Sequence, residues 1–195
     1  MPALADDRFE RVEVSSAAEL RAWLTAHHAQ QEAVWLVTFK KAVPSKYLAM
    51  TDVLDALVAF GWIDGLRRAV DAERTKQLIS PRRTQPWAAT YKVRAERLIA
   101  EGAMHPAGLA SVQRAQETGA WDAMAEVDAL LVPDDLRAAL AASPPAGAEF
   151  EGFPPSVRRI ILRWIASAKT EPTRAKRIAL TVAEARLGRR VASNG

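Results

Sequence analysis

The 195-residue chain has no cysteine. Disulfides, thiolate nucleophiles and Cys-based zinc or iron–sulfur sites are therefore excluded, and a reducing compartment suits the composition. Histidine is scarce: His27, His28 and His105 are all there are. None has a metal-ligand spacing, and the adjacent His27 and His28 face different ways. The chain also lacks a G-x-S-x-G elbow, a P-loop and a dinucleotide glycine fingerprint. Asp52, Asp55 and Asp64 supply carboxylates, but nothing marks a pair of them for acid–base work. No metal, no cofactor and no conventional hydrolase chemistry is expected. Long apolar runs are missing too. The stickiest stretch, Val157–Ile165, is broken by Arg158, Arg159 and Arg163, far short of a membrane span. The start, MPALADDRFERVEV, has no basic head followed by an apolar segment, so no secretory signal is visible. A cytoplasmic protein without membrane insertion is the expectation.

What is present is an apolar fraction of 49%, enough for a sizeable core. The net charge is +4, and it is unevenly spread. Bases gather in Arg67–Arg97 and Arg158–Arg190, acids in Glu117–Asp135. Such a map favours an anionic partner on one face, although an arginine- and alanine-rich composition also produces it without any partner.

The pattern predicts an α+β fold: a small, mostly antiparallel N-terminal sheet with two helices, then a mostly helical C-terminal half. FERVEV (Phe9–Val14) has strand character. Ser16 and Glu19 form a capping box for a first helix. AVWLVTFKK (Ala33–Lys41) reads as a central strand. Thr51 is placed as the cap of a second helix, which Gly61 ends. Leu66–Ser80 reads as a hairpin turning near Asp71–Glu73. Helices are expected over Trp87–Glu101, from Pro106 to Gly119, from Pro133, over Ser156–Ala168 and over Pro172–Leu187. The organisation expected is an α+β core with its following helices (1–140), a Pro/Gly/Ala-rich connection (141–155) and a C-terminal helical pair packing on the core (156–190). No independent second domain is anticipated, and the last residues, RRVASNG, should fray.

Three constellations stand out. In AFGWIDGLRR (Ala59–Arg68), Trp62 and Asp64 lie either side of Ile63 at a helix-to-strand junction. Asp64 can cap, pair with Arg67 or Arg68, or face a cleft; a lone aspartate in a turn is structural more often than functional. In SPRRTQPWAATYKVRAERL (Ser80–Leu98), Arg82, Arg83 and Trp87 precede a helix N-terminus. They can hold an anion and stack a flat group, or be solvated charges beside a tryptophan that staples the helix to the sheet. In SAKTEPTRAKRIA (Ser167–Ala179), Lys169, Arg174 and Arg177 can grip a phosphate or carboxylate. They can equally lock the last helices onto the acids around Glu126 and Asp128, and the lock is the preferred reading. The six tryptophans are read as core and seam residues.

AVWLVTFKK, ALVAFGWIDGLRR, SPRRTQPWAATYKVRAERLIAEGAMHPAG and SVRRIILRWIASAKTEPTRAKRI, in this order, resemble the YdeI/OmpD-associated family of bacterial proteins, labelled bacteriocin-protection proteins. The resemblance runs from about Val12 to Leu187. It implies a role in resistance to bacteriocins or cationic antimicrobial peptides, and by name an association with an outer-membrane porin. It carries no catalytic residues. It matches Gly61, Trp62, Ile63, Asp64 and Gly65, then Pro81, Arg82 and Trp87, then Lys169, Thr173, Arg174 and Arg177. After Trp87 the family usually has a serine and, three residues on, an asparagine; here stand Ala88 and Tyr91. The expectation is a binding or stress-protection protein. Its site is placed where Trp62 and Asp64 meet the Arg82–Arg83–Trp87 loop: the arginines hold an anionic group, a tryptophan stacks on its flat part, and Asp64 orients an arginine or accepts a ligand donor. A nucleic-acid-binding module and an enzyme acting on an anionic small molecule are the alternatives.

Overall fold

The computed structural model describes residues 8–191. The end of the basic tail, 192–195, where fraying is expected, lies outside the described residues. The chain divides into two compact units between Asp122 and Ala123.

The first unit runs β1 (Arg11–Glu13), α1 (Ala17–His27), β2 (Val34–Phe39), a short 3-10 turn at Pro44–Lys46, α2 (Met50–Ala59), β3 (Trp62–Ala69), β4 (Arg74–Pro81), α3 (Ala89–Ala100) and α4 (Pro106–Glu117). Its sheet has the order β1-β2-β4-β3. β1 is parallel to β2, and the other two pairings are antiparallel. The α+β class and the interior position of β2 follow the sequence pattern. All six residues of β2 are buried. Val34 and Leu36 join Ile79 of β4 in a core with Leu20 and Leu24 of α1 and Leu57 of α2. On the other face Trp35 is covered by the ammonium of Lys76, 4.7 Å from its ring centre.

Local chemistry sets the element ends. The Ser16 hydroxyl accepts the Glu19 N–H at 3.2 Å and opens α1. The Glu19 carboxylate returns to the N–H of Ser15, not of Ser16, at 2.7 Å, so the capping box closes one residue further out. Thr51 does not cap α2. Ala49 holds that position, because Leu48 and Met50 already pack on the core and fix where the helix starts. The hairpin turns where expected: Asp71 Oδ1 accepts the N–H groups of Glu73 (2.9 Å) and Arg74 (2.6 Å), an aspartate-stabilised turn. α3 begins two residues later than the pattern predicts. Trp87 is buried and its N–H is committed to the Ala120 carbonyl at 3.0 Å, which leaves Ala88 extended at the helix N-cap.

The second unit contains α5 (Ala125–Asp128), α6 (Asp134–Ala141), α7 (Ala146–Gly152), α8 (Pro155–Ala166) and α9 (Glu171–Ala185). Two findings correct the sequence reading. The stretch 141–155, expected as a Pro/Gly/Ala-rich connection, carries α7 with Ala146 and Phe150 buried. A single anchoring phenylalanine outweighs the Pro/Gly/Ala composition there. The helical half also encloses a core of its own, built on Leu136, Leu140, Phe150, Ile161, Ile165 and Val182; α5 and α7, which the pattern did not announce, help to complete it.

Candidate functional site

The junction that α2 makes with β3 is a packed one. Gly61 adopts φ +74°, open to glycine at little cost. A Cβ there would stand 2.9 Å from the Ser111 Cβ and 3.0 Å from the Ala107 carbonyl oxygen. The backbone is gripped from both sides: Ala59 O accepts from His105 N–H at 2.9 Å, and Gly61 O accepts from Arg82 N–H at 2.8 Å. Trp62 is 0% exposed, and its ring meets Trp23 edge-on at 5.5 Å.

Asp64 is half-buried. Its carboxylate accepts from the Gln77 amide at 2.7 Å and from the Tyr91 hydroxyl. Arg67, offered by the sequence as a partner for Asp64, lies beyond a β-bulge and donates to the Thr75 hydroxyl at 3.3 Å. The bulge inserts an extra residue and re-aims the strand.

Arg82 is 3% exposed. Its guanidinium lies 4.2 Å from the Trp87 ring centre and 4.9 Å from that of Tyr91. Nη1 donates to the carbonyls of Gln85 (3.4 Å) and Pro86 (3.2 Å), while Nε and Nη2 have no hydrogen-bond partner. Burial pushes Arg82 down to about 10, against the opposing pull of Tyr91 and Asp64; it keeps its charge at neutral pH. Burial, and then the hydrogen bond to Asp64, raises Tyr91. Trp87 is 1% exposed, with Trp121 against it at 5.0 Å. Neither Trp62 nor Trp87 has a face left for a ligand, and Asp64 has its acceptors engaged. The stacking and orienting roles expected of these three are not what their surroundings offer.

Beside this junction lies a cavity of about 440 Å³, lined by residues that include Gly61, Arg82, Arg83, Ser111, Arg114 and His28. Four elements supply it: the end of α1, the α2–β3 junction, the loop after β4, and α4. On α4 the lining residues Ala107, Ala110, Ser111 and Arg114 follow the i, i+3, i+4, i+7 spacing of one helical face. Arg83 is exposed and donates to the Gln31 carbonyl at 2.9 Å. Arg114 is exposed. No acid is among the lining residues. Two other cavities are of mixed sign: one in the second unit includes Asp135, Glu171, Arg174 and Arg186, another Arg8, Glu10 and Glu32.

Of the sequence-predicted residues, the structure brings Arg82 and Arg83 to this cavity and leaves Trp62, Asp64 and Trp87 behind it. The sequence reading missed His28, Ser111 and Arg114. The helical spacing on α4 could have found the last two; nothing local announces His28. Its ring stands 4.6 Å from that of His105, so two histidines 77 positions apart in sequence are neighbours (105 − 28). His28 Nδ1 bonds the Thr25 carbonyl at 2.9 Å and must donate to it, whereas His105 Nδ1 accepts the Ala107 N–H at 3.2 Å. Among the described residues no group of three His, Asp or Glu side chains could hold a metal ion, and no helix is long and apolar enough to cross a membrane.

The two arginines of the secondary basic cluster are engaged within the second unit. Arg174 bonds Asp135 through Nε (2.6 Å) and Nη2 (2.9 Å). This holds Asp135 below, and Arg174 above, their ordinary values. Arg177 donates to the Trp164 carbonyl and, at 2.9 Å, to the Ser167 hydroxyl, with its guanidinium 5.0 Å from the Trp164 ring centre. Lys169 is exposed. The lock uses Asp135 rather than Glu126 or Asp128, because one turn of α9 sets Arg174 against the start of α6; Asp128 instead faces Arg159 at 3.8 Å.

Two family models match, one within each unit. Residues 12–111 match a domain of unknown function (DUF8412). Residues 129–188 match the family described as bacteriocin-protection, YdeI or OmpD-associated. The resemblance to the latter is thus narrower than the motifs suggested: of them only SVRRIILRWIASAKTEPTRAKRI falls inside its match, and GWIDG falls inside the former. No curated protein and no solved structure matches the chain. The chain belongs to the DUF8412 family, whose model matches its N-terminal unit, and residues 129–188 of its C-terminal unit are similar to the YdeI/OmpD-associated, bacteriocin-protection family.

Proposed function

We propose that the protein is a binding protein that holds an anionic small molecule in the cavity of its N-terminal unit, and that this binding serves protection against bacteriocins or antimicrobial peptides. One observation carries the reading. The cavity beside Gly61 is lined by Arg82, Arg83, Arg114 and His28 without a single acidic side chain, while two further cavities mix signs. Cationic side chains converging from separate elements on a concave surface favour a negative ligand.

Direct capture of a cationic peptide is the weaker form of the protective role. The acidic stretch Glu117–Asp135 is largely spoken for: Asp122 pairs with Lys92, Asp134 with Arg137 and Asp135 with Arg174. An indirect route through an anionic ligand fits the charge better. Association with a porin rests on the family description alone.

The test is a thermal-shift titration of the whole chain with inorganic phosphate, sulfate and a set of organic anions, on wild type and Arg83→Ala. A ligand that prefers the native state raises the melting point. Stabilisation by anions that Arg83→Ala removes, with the ligand-free melting point kept, supports the reading. Stabilisation unchanged in that variant would remove the site from this cavity.

A further inference from the structure

We propose that the ligand is the dianionic phosphate monoester of a small organic molecule. This deepens the anion-site reading and rests on it. The cavity volume, about 440 Å³, lies in the range of small-molecule sites, roughly 300–1,000 Å³, and leaves most of its space empty around a bare oxyanion. The charge points the same way. Arg83 and Arg114 reach the cavity from the loop and from α4, with Arg82 in the wall behind them, and no acid is among the lining residues; Asp64, behind the wall, acts on Arg82 alone of the three. A phosphate monoester carries about −1.5 to −2 at neutral pH, against a single charge for a carboxylate or a sulfate ester. Arginine's forked N–H groups match its oxygens in pairs.

The remaining wall suits an organic body. Phe60, Pro81, Ala107 and Ala110 offer apolar surface, and Thr84 and Ser111 add hydroxyls that can donate to the phosphate oxygens the arginines leave over. Among the described residues the Arg114 side chain has no hydrogen-bond or ion-pair partner, so it enters the site without first breaking a bond. A polynucleotide is the poorer fit: it asks for a groove that tracks a backbone and for aromatic faces to stack bases, and no tryptophan is among the lining residues.

The experiment is calorimetric titration of the whole chain at low salt and about pH 7.5, above the second phosphate pKa of about 6. The probes are phenyl phosphate, phenyl sulfate and inorganic phosphate. Phenyl sulfate keeps the shape and removes one charge; inorganic phosphate keeps most of the charge and removes the body. Phenyl phosphate should bind about tenfold more tightly than either, the size of step that one added near-surface charge contact or a buried ring supports. Arg114→Ala, an exposed position whose loss far-UV circular dichroism can show to be harmless to the fold, should remove the preference over phenyl sulfate. Equal affinity for all three probes, lost in Arg83→Ala, would overturn the monoester assignment and leave the anion site standing. No binding of any probe, or binding indifferent to both arginines, would overturn both. Tighter binding of a single-stranded oligonucleotide, falling steeply with salt, would replace the small molecule by a polyanion.

Discussion

Ala59 and Gly108 meet with no room between them. A Cβ built on Gly108 would fall inside the Ala59 carbonyl group, 2.7 Å from its carbon, and 2.9 Å from the Met104 Cε. This contact seats the start of α4 against the end of α2. It therefore places Ser111 and Arg114, one turn and nearly two turns further on, at the cavity. Gly108→Ala must push two backbones apart. The expected loss is about 3 kcal/mol or more, the upper end of overpacking costs, read by urea denaturation. Because the helix would shift as a body, the cavity should lose its arrangement too. A variant as stable as wild type would mean that α4 is not seated by this contact.

Asp64 is predicted to be a folding residue. Asp64→Asn turns one of its two acceptor oxygens into a donor, facing either the Gln77 amide or the Tyr91 hydroxyl. It also removes a negative charge that acts on the buried guanidinium of Arg82. A lost or mismatched buried hydrogen bond costs about 1–3 kcal/mol, so the variant should melt several degrees earlier. Its affinity for phenyl phosphate should stay within about twofold of wild type. A normal melting point with abolished binding would put Asp64 in the ligand site.

The same residues show how far the sequence reaches. The positive-φ glycine at 61, the interior strand at 34–39 and the turn at Asp71 follow from local chemistry, and were legible. The Arg82–Arg83 loop stands out in the sequence as a candidate site, and both residues line one cavity. What the two arginines do was not legible, because it depends on partners far along the chain. Tyr91, which stands where the family usually has asparagine, lies over Arg82 and bonds Asp64; that closes a junction the sequence offered as a cleft. Arg114 lies 31 positions beyond Arg83 (114 − 83) and reaches the cavity only because Gly108 lets α4 settle on α2. The core of the second unit was hidden for a related reason. Phe150 sits in a stretch whose composition speaks for a linker, and only tertiary burial makes it a helix.

His105 should make stability depend on pH. Its Nδ1 caps α4 by accepting the Ala107 N–H, which an imidazolium cannot do. Burial first, then the charges of His28 and Arg21, hold it below its ordinary value. Phe60, stacked on it at 4.6 Å, carries no charge. With the folded value below the unfolded one, the unfolded chain binds more protons between the two. The contribution is therefore complete above about pH 6.5 and is lost as pH falls toward the folded value. His105→Asn keeps an acceptor at the cap without titrating there. Its melting point should fall less than that of wild type between about pH 7 and pH 5, and parallel pH profiles would show that the cap does not sense protons.

The second basic cluster separates a structural from a ligand-binding use of arginine. Arg174 and Asp135 form a two-bonded pair at a partly exposed surface, where such pairs contribute up to about 1 kcal/mol. Arg177 holds the C-terminal end of α8 through the Trp164 carbonyl and the Ser167 hydroxyl and lies over the Trp164 ring, so its replacement removes bonds and packing together. Arg177→Ala should cost about 1–2 kcal/mol and Arg174→Ala less, measured by urea denaturation followed at the helical signal. Neither should alter phenyl phosphate affinity, since the groups they would free are engaged with their own unit. A stability unchanged in both variants, together with a weakened phenyl phosphate isotherm, would transfer the anion site from the DUF8412 unit to the YdeI/OmpD-associated domain.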